Sequence, residues 1–412
     1  MTQSADHKPG LSVSLGAAIA ALSGFVILLL AARVLPAREN AIFLSFWSAL
    51  FLVTGVLSGI QQEVTRATAQ AARAPMQATA PGFSPFKVTL GAGAIAALVV
   101  LLSTPLLSPA MNGGRTSLTP ALLIGVAAVL YSGQMTLTGI LGGRRLWNPF
   151  GIVTGGEALV RLGAVIAVAI ATPAAFGFEV SSVAAFLTWL LIFTTPGARE
   201  TLRARVAIAP ALFAKKVASA MAAAGATAFL VNGFPFLMAA TTSTEEYQAS
   251  ADLAVAVSVT RAPILVPIFA FQAVVVAHFV RHPDKRREST RKLVVGLGIA
   301  TVVLVPLAYV LGPLAMSIVF GPAYANTSLV LAALVADAVL LALLVLGGTI
   351  TIALDDYRAC LTGWYASATV AVILMALLPL PLLDRTILTL SCAPLLGIAL
   401  HFKAIVKEPQ RG

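Results

Sequence analysis

The chain has 412 residues, of which 59% are hydrophobic and only 10% charged, and its mean hydropathy is +0.94. Soluble domains carry roughly 25% charged residues, so this composition excludes most soluble enzymes. The formal charge of +11 does not point to nucleic acid, because no basic run is interleaved with aromatic residues and no recognition fold is legible.

Twelve apolar stretches of near bilayer length fill the chain: 11–33, 41–60, 88–107, 119–141, 150–172, 180–195, 217–240, 251–279, 293–311, 328–350, 359–382 and 386–405. A span needs about 20 apolar residues, and in hydrocarbon its backbone must pair internally, so each stretch is predicted to be a helix. The first is too long for a signal-peptide core and lacks a cleavage site, so it counts as the first span. Pro105 and Pro313 are each expected to end the helix before them. Asn232, Gly233 and Pro235 predict a break in the seventh helix.

The charges set the topology. Segments on one side hold 21 of the 27 Lys and Arg residues, and those on the other side hold four, Arg33, Arg38, Arg115 and Arg385. By the positive-inside rule, both termini are cytoplasmic in a multi-pass protein of the cell inner (plasma) membrane. The longest inner connection, TPGARETLRARVAIAPALFAKKVAS, falls at mid-chain with six helices before it and six after. An all-α architecture of two six-helix bundles follows, over 1–205 and 206–412. An even helix count per half gives both the same orientation.

Charges within spans are few, and each costs roughly 2.5–3.5 kcal/mol on insertion scales. In the fifth helix, Glu157 and Arg161 stand four residues apart on one face, either as a self-neutralising pair or as a polar stripe towards a cavity. Arg261 lies within the eighth helix, followed by Pro263 and Pro267, with no acid one turn away. It is read as a cation for an anionic substrate group, or else as the ion-pair partner of Asp337. Asp337, in the tenth helix, is either that counter-ion or a protonatable coupling site. Glu63 and Arg66 at the end of the second helix read as a solvated boundary pair or as residues of a cavity mouth. Gln134 is the plainest uncharged polar residue of the fourth helix. His278, His282 and His401 read as interfacial residues, and Cys360 and Cys392 as inert core.

No GxxxxGK[ST] loop, zinc-ligand cluster, GxSxG elbow or long external loop is present, so no nucleotide-hydrolysing or other catalytic constellation is legible. The chain reads as a non-enzyme without a resident cofactor or metal.

Several segments resemble the multidrug/oligosaccharidyl-lipid/polysaccharide (MOP) exporter superfamily, and within it the Wzx-like polysaccharide-biosynthesis flippases. They are VLPARENAIFLSFWSALFLVTGVLSG with its continuation QQEVTRATA, GILGGRRLWNPFGIVTGGEALVRLG, VTRAPILVPIFAF and SIVFGPAYANTS. The resemblance implies two lobes around a central cavity. The implied activity is translocation of a polyprenyl-(di)phosphate-linked sugar or oligosaccharide from the inner to the outer leaflet, for cell-envelope polysaccharide synthesis. Substrate contacts would come from Arg261, Arg161, Arg66, Glu157, Asp337, Gln134 and Asn232. Coupling to a proton or sodium gradient would fall to Asp337, Glu157 or Glu63. The expected partners are the polyprenyl-linked glycan, membrane lipids and glycosyltransferases of the same pathway. The alternatives are a multidrug-type, cation-coupled antiporter on the same fold and a non-transporting membrane scaffold.

Overall fold

The computed structural model describes residues 10–73, 82–111, 117–194, 201, 203–206, 208–282 and 285–407. Lys8, Arg115, Arg199 and Arg411 of the charge pattern lie outside them. Fifteen α-helices carry the described chain, and its only extended pairing is an isolated bridge between Phe83 and Val206. In order they are α1 Gly10–Val34, α2 Ala37–Arg73, α3 Pro85–Leu102, α4 Thr104–Met111, α5 Thr119–Gly143, α6 Trp147–Ala171 and α7 Ala175–Ala184. A 3-10 segment, Ala185–Thr194, continues α7. Then come α8 Pro210–Val231, α9 Phe234–Ala240, α10 Thr244–Ala249, α11 Ala251–Arg281, α12 Arg286–Val319, α13 Ser328–Ala353, α14 Tyr357–Leu377 and α15 Leu382–Val406.

Among the described residues, eleven helices are long and apolar enough to cross a membrane, and they correspond to eleven of the twelve predicted spans. The sixth is different. Its apolar helix is shorter, Ala175–Leu191, and winds into 3-10 geometry at Ala185. Helix α2 runs past the expected end at residue 60 to Arg73, because the polar segment beyond the apolar run contains no helix breaker. Pro105 does mark a break, between α3 and α4. Pro313 does not, since α12 continues through Pro306 and Pro313 to Val319.

The described chain forms two compact units, one of residues 1–35 with 45–228 and the other of 36–44 with 229–412. Most of α8 therefore packs with the first unit, which extends it one helix beyond residue 205. Each unit is built around its most buried helix. In the first unit this is α5, packed by α3, α6 and α7. In the second it is α13, packed by α11, α12, α14 and α15. These are the fourth and tenth spans, equivalent positions in a duplicated six-helix pattern.

The turns that follow them also match. Arg145 (φ 59°) and Asp355 (φ 61°) are the positive-φ non-glycine residues of the described chain. Leu146 N–H closes on Leu141 C=O at 2.8 Å, and Asp356 N–H on Thr351 C=O at 2.9 Å. Both turns thus end a helix with the same left-handed residue and six-to-one hydrogen bond. The Asp356 carboxylate then caps α14 by accepting from Ala359 N–H at 3.0 Å.

Several hydroxyl groups inside the helices are satisfied locally. Thr136 Oγ1 bonds Ser132 C=O at 2.7 Å and Thr89 Oγ1 at 2.6 Å, tying α5 to α3. Thr138, Ser182 and Thr349 bond the carbonyl four residues back, the usual resolution for a hydroxyl in a helix. Close backbone approach needs glycine at two crossings. A Cβ on Gly59 would lie 2.4 Å from the Ala220 backbone of α8, and one on Gly151 would lie 2.5 Å from Ser12 C=O of α1. Large apolar side chains cover the outside, and none of the most apolar window of α12 is buried. Only a hydrocarbon surround makes such an exterior stable.

The orientation is tested by cysteine labelling in a background lacking Cys360 and Cys392. Glu245→Cys, exposed at the start of the short helix α10, should react with an impermeant thiol reagent in intact cells, whereas Arg287→Cys should react only after lysis. The reverse pattern would invert the topology.

Candidate functional site

Four of the intramembrane charged residues gather in two clusters, one in each unit. In the first, Glu157 and Arg161 lie one turn apart on α6 and form a buried ion pair. The guanidinium is packed on aromatic faces, with its carbon 5.0 Å from the Phe186 ring centroid, 5.1 Å from Phe51 and 5.9 Å from Trp47. All three are within the range at which a ring quadrupole attracts a cation. Tyr131 packs edge-on against Phe186, with centroids 5.1 Å apart. Gln134, buried on α5, hydrogen-bonds the Glu157 carboxylate. Two polar atoms in this cluster are buried without a hydrogen-bond partner, Arg161 Nε and Gln134 Oε1. One is a donor and the other an acceptor.

The second cluster sits at the predicted break. Helix α8 ends at Val231, Asn232 and Gly233 form the turn, and α9 starts at Phe234 with Pro235 in its first turn. Pro235 has no N–H, so Val231 C=O loses its donor four residues on. Arg261 from α11 fills that gap. Its Nη1 donates to Leu230 C=O at 3.0 Å and to Val231 C=O at 3.4 Å. The guanidinium carbon lies 5.2 Å from the Phe234 ring centroid.

Asp337 lines the same small cavity as Arg261, with Phe234, Thr389 and Pro394. The expected direct ion pair between them is not formed. Asp337 Oδ1 accepts from Ser391 Oγ at 2.6 Å, and its Oδ2 is buried with no hydrogen-bond partner. Thr389 Oγ1 is likewise unpartnered. The cavity measures about 10 Å³, the volume about one water occupies. In this arrangement Arg261 is a helix-capping cation with no room beside it for a phosphate group.

Arg66 and Glu63 form a separate, self-contained network. Arg66 Nε donates to Glu63 Oε2 at 2.7 Å and Nη1 to Gln70 Oε1 at 2.8 Å. Asn232 marks the break itself.

Two residues, His401 and Cys392, depart from their sequence reading, and a third, Glu179, had none. Glu179 is buried on α7, because the helix begins at Ala175, five residues before the expected span. Its apolar neighbours, Phe178 and Val180, were the available signal. His401 is not interfacial but fully buried, seated against Gly347, Gly348 and Gly363, with Nε2 3.0 Å from Cys360 C=O. Cys360 is buried as expected, whereas Cys392 is exposed. Among the described residues no group of three or more His, Cys, Asp or Glu side chains is placed to hold a metal ion.

Comparison with known proteins places this geometry. The Mycobacterium tuberculosis protein Rv3630 is 36% identical over 97% of this chain and 92% of its own length. Rv1510 of the same organism is 36% identical over 96% of this chain and 91% of its own. The chain belongs to the Rv3630/Rv1510 family. No protein-family model matches it. Among solved structures, an inward-facing multidrug resistance MATE transporter of the MOP superfamily superposes with a TM-score of 0.71 at 12% identity, over 97% of this chain and 98% of that one. The eukaryotic MATE transporter AtDTX14 gives 0.65 at 14% identity, over 97% and 96%. A MOP superfamily transporter from Pyrococcus furiosus, whose binding pocket of reverse polarity suggests a different function, gives 0.61 at 12%, over 96% and 94%. The fold of this family member is therefore the two-lobed, all-α fold of the MATE transporters, in a multi-pass membrane protein.

The capping role of Arg261 makes a stability prediction. Arg261→Leu strands two buried carbonyls, each costing about 1–3 kcal/mol when left unpaired, and should lower the detergent-solubilised melting temperature by several degrees. Pro235→Ala returns an N–H to Val231 C=O, so the double variant should regain part of that loss. Equal melting temperatures for Arg261→Leu and the wild type would remove the cap from the account.

Proposed function

We propose that this protein is a flippase that carries a polyprenyl-(di)phosphate-linked sugar or oligosaccharide from the inner to the outer leaflet of the cell membrane, supplying cell-envelope polysaccharide synthesis. The observation that carries the reading is the unpaired donor and acceptor, Arg161 Nε and Gln134 Oε1, held in one aromatic-walled cluster. A sugar hydroxyl donates and accepts at once, so it complements that pair. The ring faces of Phe51 and Phe186 are taken by the Arg161 guanidinium itself, which fixes the donor of that pair in place.

The pairing within the cluster favours this cargo over an organic cation. A multidrug antiporter for cations needs aromatic faces and a carboxylate open to the substrate. Here Arg161 already occupies those faces and pairs with Glu157. The Pyrococcus furiosus neighbour supports the point, since a reversal of pocket polarity on this fold suggests a different function.

In this reading Arg66 serves as a basic contact where the head group enters, and Asn232 and Arg261 act at the α8–α9 bend. Of the coupling candidates, Asp337 is the strongest, because one of its oxygens is unpartnered. Both oxygens of Glu63 are engaged by Arg66, and Glu157 is held by Arg161. A proton or sodium ion at Asp337 would draw on the membrane potential, worth about 2.3 kcal/mol per charge per 100 mV. The partners are the lipid-linked glycan, membrane lipid and the glycosyltransferases that make the glycan.

The test is translocation in reconstituted vesicles. Protein should accelerate the transfer of a fluorescent sugar–polyprenyl diphosphate between leaflets, and Gln134→Leu and Arg161→Lys should each slow it at least tenfold with the protein still folded. Efflux of a cationic dye with no lipid translocation would replace this reading with the antiporter. Unchanged transfer by both variants would move the site elsewhere.

A further inference from the structure

The first unit carries a second feature that no residue of the polar clusters uses, an apolar groove between α2, α3 and α8. Its volume is about 710 Å³, well within the roughly 300–1,000 Å³ of ligand sites. One wall is the face of α3 that repeats at helical spacing, Val88, Ala92, Ile95 and Val99, and across from it stand Val53 of α2 and Met221 of α8. Gly91 opens the groove further. A Cβ placed there would meet no atom within 4 Å.

The groove is apolar along its length and charged at one end. The Phe83–Val206 bridge and the edge-on contact of Phe83 with Phe213, centroids 5.5 Å apart, bring the starts of α3 and α8 together. At that end the Lys87 side chain lines the groove. It is the end the charge pattern assigns to the cytoplasm. At the far end the lining is Val99 and Val100. A cationic mouth leading into a hydrocarbon trough is complementary to a molecule with an anionic head and an apolar tail.

Length decides which one. From Lys87 to Val100 the helix advances 13 residues, about 20 Å at 1.5 Å each. One leaflet offers about 15 Å, half of the roughly 30 Å hydrocarbon core. A tail lying along the whole groove therefore passes the midplane, farther than a chain confined to one leaflet reaches. We infer that the groove seats the isoprenoid tail of a long-chain polyprenyl phosphate, with the phosphate at Lys87. The choice of lipid rests on the function proposed above; the groove and its polarity do not.

The experiment uses sugar-free polyprenyl phosphate bearing a photoreactive group in its tail, with the full-length protein in phosphatidylcholine nanodiscs. Crosslinks should map to the α3 and α8 peptides. Gly91→Phe, which fills open space, and Lys87→Glu should each cut labelling about tenfold, while Gly91→Ala should leave it intact and so report that the fold tolerates change there. Phosphatidylglycerol at the same mole fraction should not compete. Labelling mapped to other helices, labelling indifferent to Gly91→Phe, or full competition by phosphatidylglycerol would each overturn the inference. The two readings also fail separately. A tail that labels this groove in a protein that translocates no lipid-linked sugar leaves the groove and removes the function, and translocation with the tail labelled elsewhere does the reverse.

Discussion

In hydrocarbon there is no water to satisfy a stray polar group, so a break in a spanning helix needs a partner from within the protein. The most consequential is Arg261 on the carbonyls of Leu230 and Val231. Without a donor there, the break forced by Asn232, Gly233 and Pro235 would leave buried carbonyls exposed to lipid, and the seventh span would have to straighten or unravel. A guanidinium suits the place because it keeps its charge in an apolar setting and presents several donors in one plane. Phe234 at the start of α9 supplies the ring that Arg261 lies over, so the break and its cap stabilise each other.

The same constraint shapes the first unit differently. Arg161 is neutralised within its own helix by Glu157 and takes its remaining contacts from ring faces. Breaking a buried pair of this kind typically costs about 3–5 kcal/mol, and the ring contacts of Arg161 link α6 to Phe51 of α2 and Phe186 of the 3-10 segment. Its full satisfaction was not required for stability, however, and Nε was left open beside Gln134. An unpaired buried donor and acceptor together are a persistent cost with no structural return.

Much of this was legible in the residues and some was not. The span pattern, the central connection and the break at Pro235 are local properties, written in hydropathy and in proline chemistry. Glu157 with Arg161 is equally local, because a four-residue spacing puts both on one face. The partner of Arg261 was not legible, since its carbonyls lie some thirty residues away and have no side-chain signature; the acid of the tenth helix was the natural but mistaken partner. His401 was misjudged because its burial depends on three glycines from two other helices. The short sixth span was hidden because apolar side chains favour neither α nor 3-10 winding. The groove of α3 was invisible in sequence, where Gly91 and Ala92 read simply as small residues of a span.

The duplication binds these particulars together. The fourth and tenth spans are each the most buried helix of their unit, and each ends in the same turn with a left-handed residue, Arg145 or Asp355. Glycine would fit either position with less strain. The polar chemistry, by contrast, has diverged between the units: an aromatic-walled ion pair with an open donor and acceptor in one, a capped helix break beside a half-satisfied aspartate in the other. A repeated scaffold with unlike centres is what a transport cycle needs if one unit is to recognise the head group and the other is to respond to an ion. In the function proposed here, the unpartnered atoms at Arg161 and Gln134 would set selectivity, and the unpartnered oxygen of Asp337, which lines the same small cavity as Arg261, would be where an ion acts on the second unit.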